Sequence, residues 1–242
     1  MASHWLQEGP IGILTLPGTG GNYLEQPDFA DVDWLRERFS NTGLKGIIIR
    51  GGGRHFSAGA NLDKLKQLSG DETLLFHRMT AGKKLIQWIT GAEVPVVAEI
   101  SGVCFGGGLE IALACNIRIC SENALFAAPE ANYGIMPGLG GTITLSRLIG
   151  AGKAAEMIIS GDIVNAEKAL TLGLTDHVVP GRDLHSFTLE YLIKMTADRD
   201  TAVIRSIMKS IHHSQTMDFE KALEEETKLF CALAVRHLRN KE

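Results

Sequence analysis

Glycine is crowded into four places in this chain: Gly51–Gly53, Gly59, Gly106–Gly108 and Gly138–Gly141. Each follows or borders a β-rich run. Turn chemistry explains any one of them, because glycine accepts positive φ and lets backbone approach closely. Four clusters ask for a further use, which is to aim bare backbone N–H groups at a ligand oxygen. The triplet Gly106-Gly107-Gly108 opens a helical pattern, and a helix start offers unpaired N–H donors at the positive end of its dipole. If a second N–H converges on it from the turn Ala58-Gly59-Ala60, the two form a hole that stabilises a developing oxyanion.

Other uses of glycine are excluded by spacing. No GxxxxGK[ST] occurs, so there is no P-loop, and no GxGxxG follows a strand, which removes the dinucleotide fingerprint. Ser57 is not a nucleophile elbow, since Arg54 stands where the first glycine of GxSxG is required. His212 and His213 are adjacent on a helical pattern and cannot face one ion together, so no metal is expected. Arg54, beside the Ala58–Ala60 turn, reads as a solvated turn charge or as a contact to a phosphate.

These segments need a scaffold to hold them. The chain has 242 residues, 45% of them hydrophobic, enough for one large domain with a buried core. Short β-rich runs at Ile11–Leu16, Gly46–Arg50, Val94–Ser101, Ile117–Cys120 and Asp176–Val179 alternate with helical spacing at Glu72–Thr90 and Gly107–Ala114, an α/β order. In the first of these helices Leu75, Met79, Leu85, Ile86 and Ile89 share a face. Beyond Gly150 the strand signals nearly vanish, and Lys153–Ser160, Ala166–Leu172, Leu184–Thr196, Ala202–Ile211 and Asp218–Arg239 read as helices.

A formal net charge of -4 with no basic block argues against nucleic acid as a partner. No apolar run nears the roughly 20 residues that cross a bilayer, and Met1–Pro10 lacks the layout of a secretory signal, so no membrane association is expected. Four cysteines without CxxC spacing suit a reducing, cytoplasmic compartment.

Three blocks carry a family resemblance: HFSAGANLDKL at 55–65, SGVCFGGGLEIALACNIRIC at 101–120 and ALFAAPEANYGIMPGLGGTITLSRLIG at 124–150. In content, order and separation they resemble the signatures of the crotonase superfamily, the enoyl-CoA hydratase/isomerase family, and the likeness continues through 156–180. The resemblance implies an α/β crotonase-like fold of repeated ββα units, with a catalytic core over 1–180 and a C-terminal helical trimerisation region over 181–242 of the same domain. It implies a homotrimer or a dimer of trimers. The implied activity is hydration of a trans-2-enoyl-CoA to the 3-hydroxyacyl-CoA. Isomerisation, hydrolysis, decarboxylation or mere acyl-CoA binding are the alternatives. The implied partner is the acyl-CoA thioester, with coenzyme A part of the substrate and no separate cofactor.

Residue roles follow from the same resemblance. Ala60 and Gly107 would supply the oxyanion N–H groups, while backbone around Ala58, Asn61 and Leu62 would help seat the coenzyme A adenine, with Gly106 and Gly138 at the site. Hydratases carry glutamate at two positions, matched here by Glu110 and Glu130. Water must lose a proton as it attacks Cβ while Cα gains one, and two carboxyl groups with separated pKa values divide those tasks. Taken singly, Glu110 could merely complement its helix dipole and Glu130 could be a loop acid. Tyr133 and Met136 are candidates to line the acyl pocket, or else ordinary packing residues.

This chain departs from the family pattern at three places. PGTGGNYLEQPDF at 17–29 replaces the usual Asn-Arg-Pro turn and its basic contact. Asn61 stands where AGAD has its acid. The ending LFCALAVRHLRNKE implies that the family's last, pocket-capping helix is largely absent.

Overall fold

The computed structural model describes residues 3–17, 20–25, 31–39 and 43–238. Residues 18–19 and 26–29 of the 17–29 turn and the chain end beyond Leu238 therefore lie outside the described residues. A six-stranded sheet runs through the molecule in the order β1-β2-β4-β6-β8-β11. Its strands are β1 (His4–Glu8), β2 (Ile11–Thr15), β4 (Gly46–Arg50), β6 (Val96–Ile100), β8 (Ile117–Ser121) and β11 (His177–Val179). Only the β1–β2 hairpin is antiparallel. Parallel strands of this kind are covered on both faces, so they read as continuous apolar runs. In β4, Ile47 and Ile49 enter the larger core while Ile48 points the other way, into a second core with Ile11, Ile13, Val97 and Ile119. Helix α8 (Leu184–Thr196) closes that second core with Leu184 and Leu192.

Each of four large-sheet strands is followed by a very short strand and then a helix. The units are β2–β3–α1, β4–β5–α2, β6–β7–α4 and β8–β9–α5, in which β3 is Tyr23–Leu24, α1 Val32–Phe39, β5 Gly59–Ala60 and α2 Leu62–Leu68. The rest are β7 (Val103–Phe105), α4 (Gly107–Ala114), β9 (Leu125–Ala127) and α5 (Gly141–Ile149). The short strands pair among themselves: β3 with β5, and β7 with β9, to which β10 (Val164–Asn165) adds antiparallel. The ββα repeat of the crotonase fold is thus present.

Helix α3 (Glu72–Thr90) follows α2, with Asp71 as its N-cap accepting from Leu74 N–H. Such a cap satisfies one of the four orphan donors of a helix start. The later helices are α6 (Ala151–Ser160), α7 (Ala166–Leu172), α9 (Thr201–Thr216) and α10 (Phe219–Leu238). The expected strand at Val94–Ser101 begins only at Val96, because Pro95 lacks the N–H a ladder needs. The sequence reading missed β1 and all the short strands. β1 is a mostly exposed edge strand, and two or three residues carry no periodicity.

A buried arginine ties the sheet to the segment between α7 and β11. Arg118 donates from Nε to Leu174 O (2.9 Å), from Nη1 to Cys115 O (2.8 Å) and from Nη2 to Asp176 Oδ2 (3.2 Å). With its donors used this way, the guanidinium is affordable in the interior.

Candidate active site

The glycine clusters meet at the start of α4. Gly106, at φ +50°, turns the chain from β7 into the helix, and a Cβ there would come 3.0 Å from Glu130 Oε1. Gly59, at φ +85°, brings the Ala58–Ala60 turn against the same point: its Cβ would lie 2.7 Å from Phe105 O and 3.3 Å from Gly107 N. The Ala58–Ala60 turn and the start of α4 are therefore in close approach. As the first residue of α4, Gly107 has an N–H with no intrahelical partner. Asn61 N–H donates to Leu24 O at 3.0 Å.

Both glutamates stand around this point. Glu110, on the first turn of α4, is 5% exposed. Its Oε1 accepts from Leu139 N–H and Gly141 N–H, each at 2.7 Å. Those donors belong to the loop entering α5, so one helix carries the carboxyl and the start of another orients it. Burial pushes the Glu110 pKa from 4.5 up to about 7; the bonds from Gly141 and Leu139 oppose the rise, and the charge of Glu130 adds to it. Glu130 lies in the 3-10 turn Pro129–Tyr133. Its Oε2 is buried without a hydrogen-bond partner, and burial raises its pKa above the usual carboxylate value.

A cavity of about 280 Å³ brings together Ala60, Gly107, Glu110 and Glu130. Asn61, Met136 and Gly138 also line it. Among the other candidates, Leu62 and Gly106 adjoin lining residues in sequence but do not line the cavity, and neither do Ala58 and Tyr133, the latter 59% exposed. Asn61 caps α2: Oδ1 accepts from Asp63 N–H and Lys64 N–H, and Nδ2 lies 3.2 Å from both carboxylate oxygens of Glu25. An aspartate would keep the cap but repel Glu25, so the departure from AGAD has a local cause.

The apolar wall was largely missed. Leu75 and Met79 line it, whereas Leu85, Ile86 and Ile89 of the same helix are buried in the core. The shared face read from helical spacing is real, but α3 extends past the core and its first half covers the cavity. A Cβ on Gly138 would meet Met79 Cε at 2.5 Å, so the two walls touch. Leu24, Leu65, Leu68, Ile135 and Leu139 complete the apolar surface. Among the described residues none after Leu139 lines the cavity, so α10 does not cap it. Helix α10 packs along α9 instead, leaving Phe219 and Phe230 76% and 67% exposed.

The arrangement joins a turn packed against an open helix start, two carboxyl groups of raised pKa and a small apolar chamber. It can bind an acyl carbonyl, hold charge on its oxygen, and move protons at neighbouring atoms. The sequence model of the enoyl-CoA hydratase/isomerase family matches residues 32–240. A probable enoyl-CoA hydratase of Bacillus subtilis is 33% identical over 91% of this chain and 85% of its own. A short-chain-enoyl-CoA hydratase of Clostridium acetobutylicum is 33% identical over 93% of this chain and 86% of its own. Among solved structures, an enoyl-CoA hydratase from Polaromonas sp. JS666 superposes with a TM-score of 0.89 at 26% identity, over 98% of this chain and 93% of that one.

Proposed function

Because this chain belongs to the enoyl-CoA hydratase/isomerase family, we propose that it hydrates a trans-2-enoyl-CoA thioester to the 3-hydroxyacyl-CoA. One observation carries the reading: Glu110 and Glu130 line the same small cavity as Ala60 and Gly107. An isomerisation needs one carboxyl group to carry a proton between carbons, whereas hydration employs a base for water and an acid for carbon. The relatives named as hydratases support that choice.

In this mechanism the thioester oxygen accepts from the N–H groups of Ala60 and Gly107. Ionised Glu110, held through Oε1, takes a proton from water as the water oxygen bonds to Cβ. The Cα=Cβ electron pair moves toward the carbonyl, and the resulting enolate charge sits in the hole. Protonated Glu130 then gives its proton to Cα. One carboxyl has gained a proton and the other has lost one, and exchange with solvent resets them. All charge and proton changes are met by these four residues, with no further cofactor needed. A chamber of about 280 Å³ equals roughly nine water volumes at ~30 Å³ each, which suits a short acyl group such as crotonyl.

The test follows the ultraviolet absorbance of the conjugated thioester of crotonyl-CoA with wild type, Glu110→Gln and Glu130→Gln. Absorbance should fall with wild type and hold nearly constant with either variant. Turnover that survives in both variants would remove the assignment. The exposed apolar residues of α10 support assembly as a homotrimer or a dimer of trimers. A monomer mass by light scattering at micromolar concentration would contradict it. No described helix is long and apolar enough to cross a membrane. A cytoplasmic place is supported by the unpaired state of all four cysteines, and cell fractionation checks it.

A further inference from the structure

Across β5 from the cavity lies a residue that the chemistry above does not use. Asn22 is 3% exposed and, at φ 54°, is the one non-glycine residue with positive φ among the described residues. A buried polar residue in that conformation persists only where its surroundings over-determine it. Here they do. Its Nδ2 makes a short hydrogen bond to His55 O, and its own carbonyl accepts from Ser57 Oγ at 2.7 Å. Ser57 Oγ in turn accepts from Gly59 N–H at 3.1 Å. On either side, Ala58 N–H reaches Gly21 O and Asn61 N–H reaches Leu24 O, both at 3.0 Å.

These bonds bracket Ala60. The N–H groups of residues 58, 59 and 61 are all committed to this clamp or to the turn itself, and those of Phe56 and Ser57 go to Ser101 O and Val103 O. Ala60 lies between the clamped residues 59 and 61 and lines the cavity. We propose that Asn22 is a positioning residue: by holding the 21–24 segment on the 55–61 turn through its side chain and its left-handed backbone, it fixes the direction of the Ala60 N–H. This rests on the reading of Ala60 as one half of the oxyanion hole. Asparagine suits the task because it tolerates the left-handed region and carries an amide donor. Aspartate would set a carboxylate oxygen against His55 O, and glycine would keep the backbone but lose the donor.

The experiment compares wild type with Asn22→Gly, Asn22→Asp and Ser57→Ala. Steady-state kinetics with crotonyl-CoA give kcat and KM. In a second measurement, cinnamoyl-CoA is bound to the same variants in a Glu110→Gln background, and the shift of its ultraviolet band to longer wavelength reports polarisation of the thioester carbonyl. A misplacement on the order of 1 Å at the hole predicts that kcat falls by about 10- to 100-fold for Asn22→Gly and Asn22→Asp. KM should stay within about threefold, because the rest of the binding surface is intact. The band shift should shrink in step with kcat.

Wild-type kcat in folded Asn22→Gly, or a lowered kcat with the full band shift, overturns the proposal. Should both Asn22 variants fail to fold, Ser57→Ala decides by the same two readouts, since it cuts the link from Asn22 to Gly59 without touching residue 22. The band shift does not depend on hydration. If wild type polarises cinnamoyl-CoA but does not hydrate crotonyl-CoA, the proposed reaction fails and the Asn22 inference is still judged.

Discussion

Replacing Glu110 by glutamine removes a charge from a nearly closed site while keeping an oxygen that can accept from Leu139 N–H and Gly141 N–H. Its pKa is raised in the fold from 4.5 to about 7. Folding therefore favours the protonated form: that contribution is fully present below pH 4.5 and is lost as pH rises through about 7. At about 1.36 kcal/mol per pH unit, ionising Glu110 in the folded protein costs on the order of 3 kcal/mol above pH 8. Glutamine never carries this cost. Glu110→Gln should thus be more stable than wild type by about 3 kcal/mol at pH 8, and by nearly nothing at pH 4.5. In a chain of this length that corresponds to a rise in Tm of roughly 6–12 °C at pH 8. The same change removes the base, so kcat should fall by roughly 10²–10⁴. Differential scanning calorimetry at the two pH values, alongside the crotonyl-CoA assay, measures both. A Tm difference independent of pH would show that the carboxyl is not held at a raised pKa, and the electrostatic reasoning would fail.

Three further outcomes follow from the site. The kcat/KM of the reaction should rise through about pH 7 as Glu110 ionises; a flat profile between pH 5 and 7 would remove Glu110 as the base. Gly59→Ala puts a Cβ at φ +85° and 2.7 Å from Phe105 O, so urea denaturation should show a loss of about 1–3 kcal/mol and kcat should drop with it. Unchanged stability would mean that the turn is less constrained than its contacts imply. Met79→Ala opens the apolar wall facing Gly138 and should raise kcat/KM for longer enoyl-CoA substrates relative to crotonyl-CoA by about fourfold per accommodated methylene. A chain-length series with an unaltered profile would place the acyl group elsewhere.

Much of the scaffold was legible in the chain because its signals are local. Ile47-Ile48-Ile49 had to be a strand covered on both faces, and Glu72–Thr90, Gly107–Ala114 and Leu184–Thr196 match helical spacing to the residue. The motif blocks named the family and drew attention to Glu110, Glu130, Ala60 and Gly107. What spacing could not supply were relations between residues far apart in the chain. The short strands β3, β5, β7 and β9 exist only because each finds a partner in another ββα unit, and two or three residues have no period of their own.

The sequence by itself determined which residue types are available: glycines able to expose N–H groups, and two acids near the helix and loop that could use them. Only the tertiary structure decided that Gly59 abuts Gly107, that Leu139 and Gly141 hold Glu110, and that α3 splits its apolar face between core and cavity. It also left Tyr133 out of the cavity lining and brought Asn22 against the turn that carries Ala60. The physical reason is common to all of these. A raised pKa depends on how much water the surroundings exclude, and an N–H acquires a direction from the strand packed beside it. Both are properties of neighbours that chain order does not name.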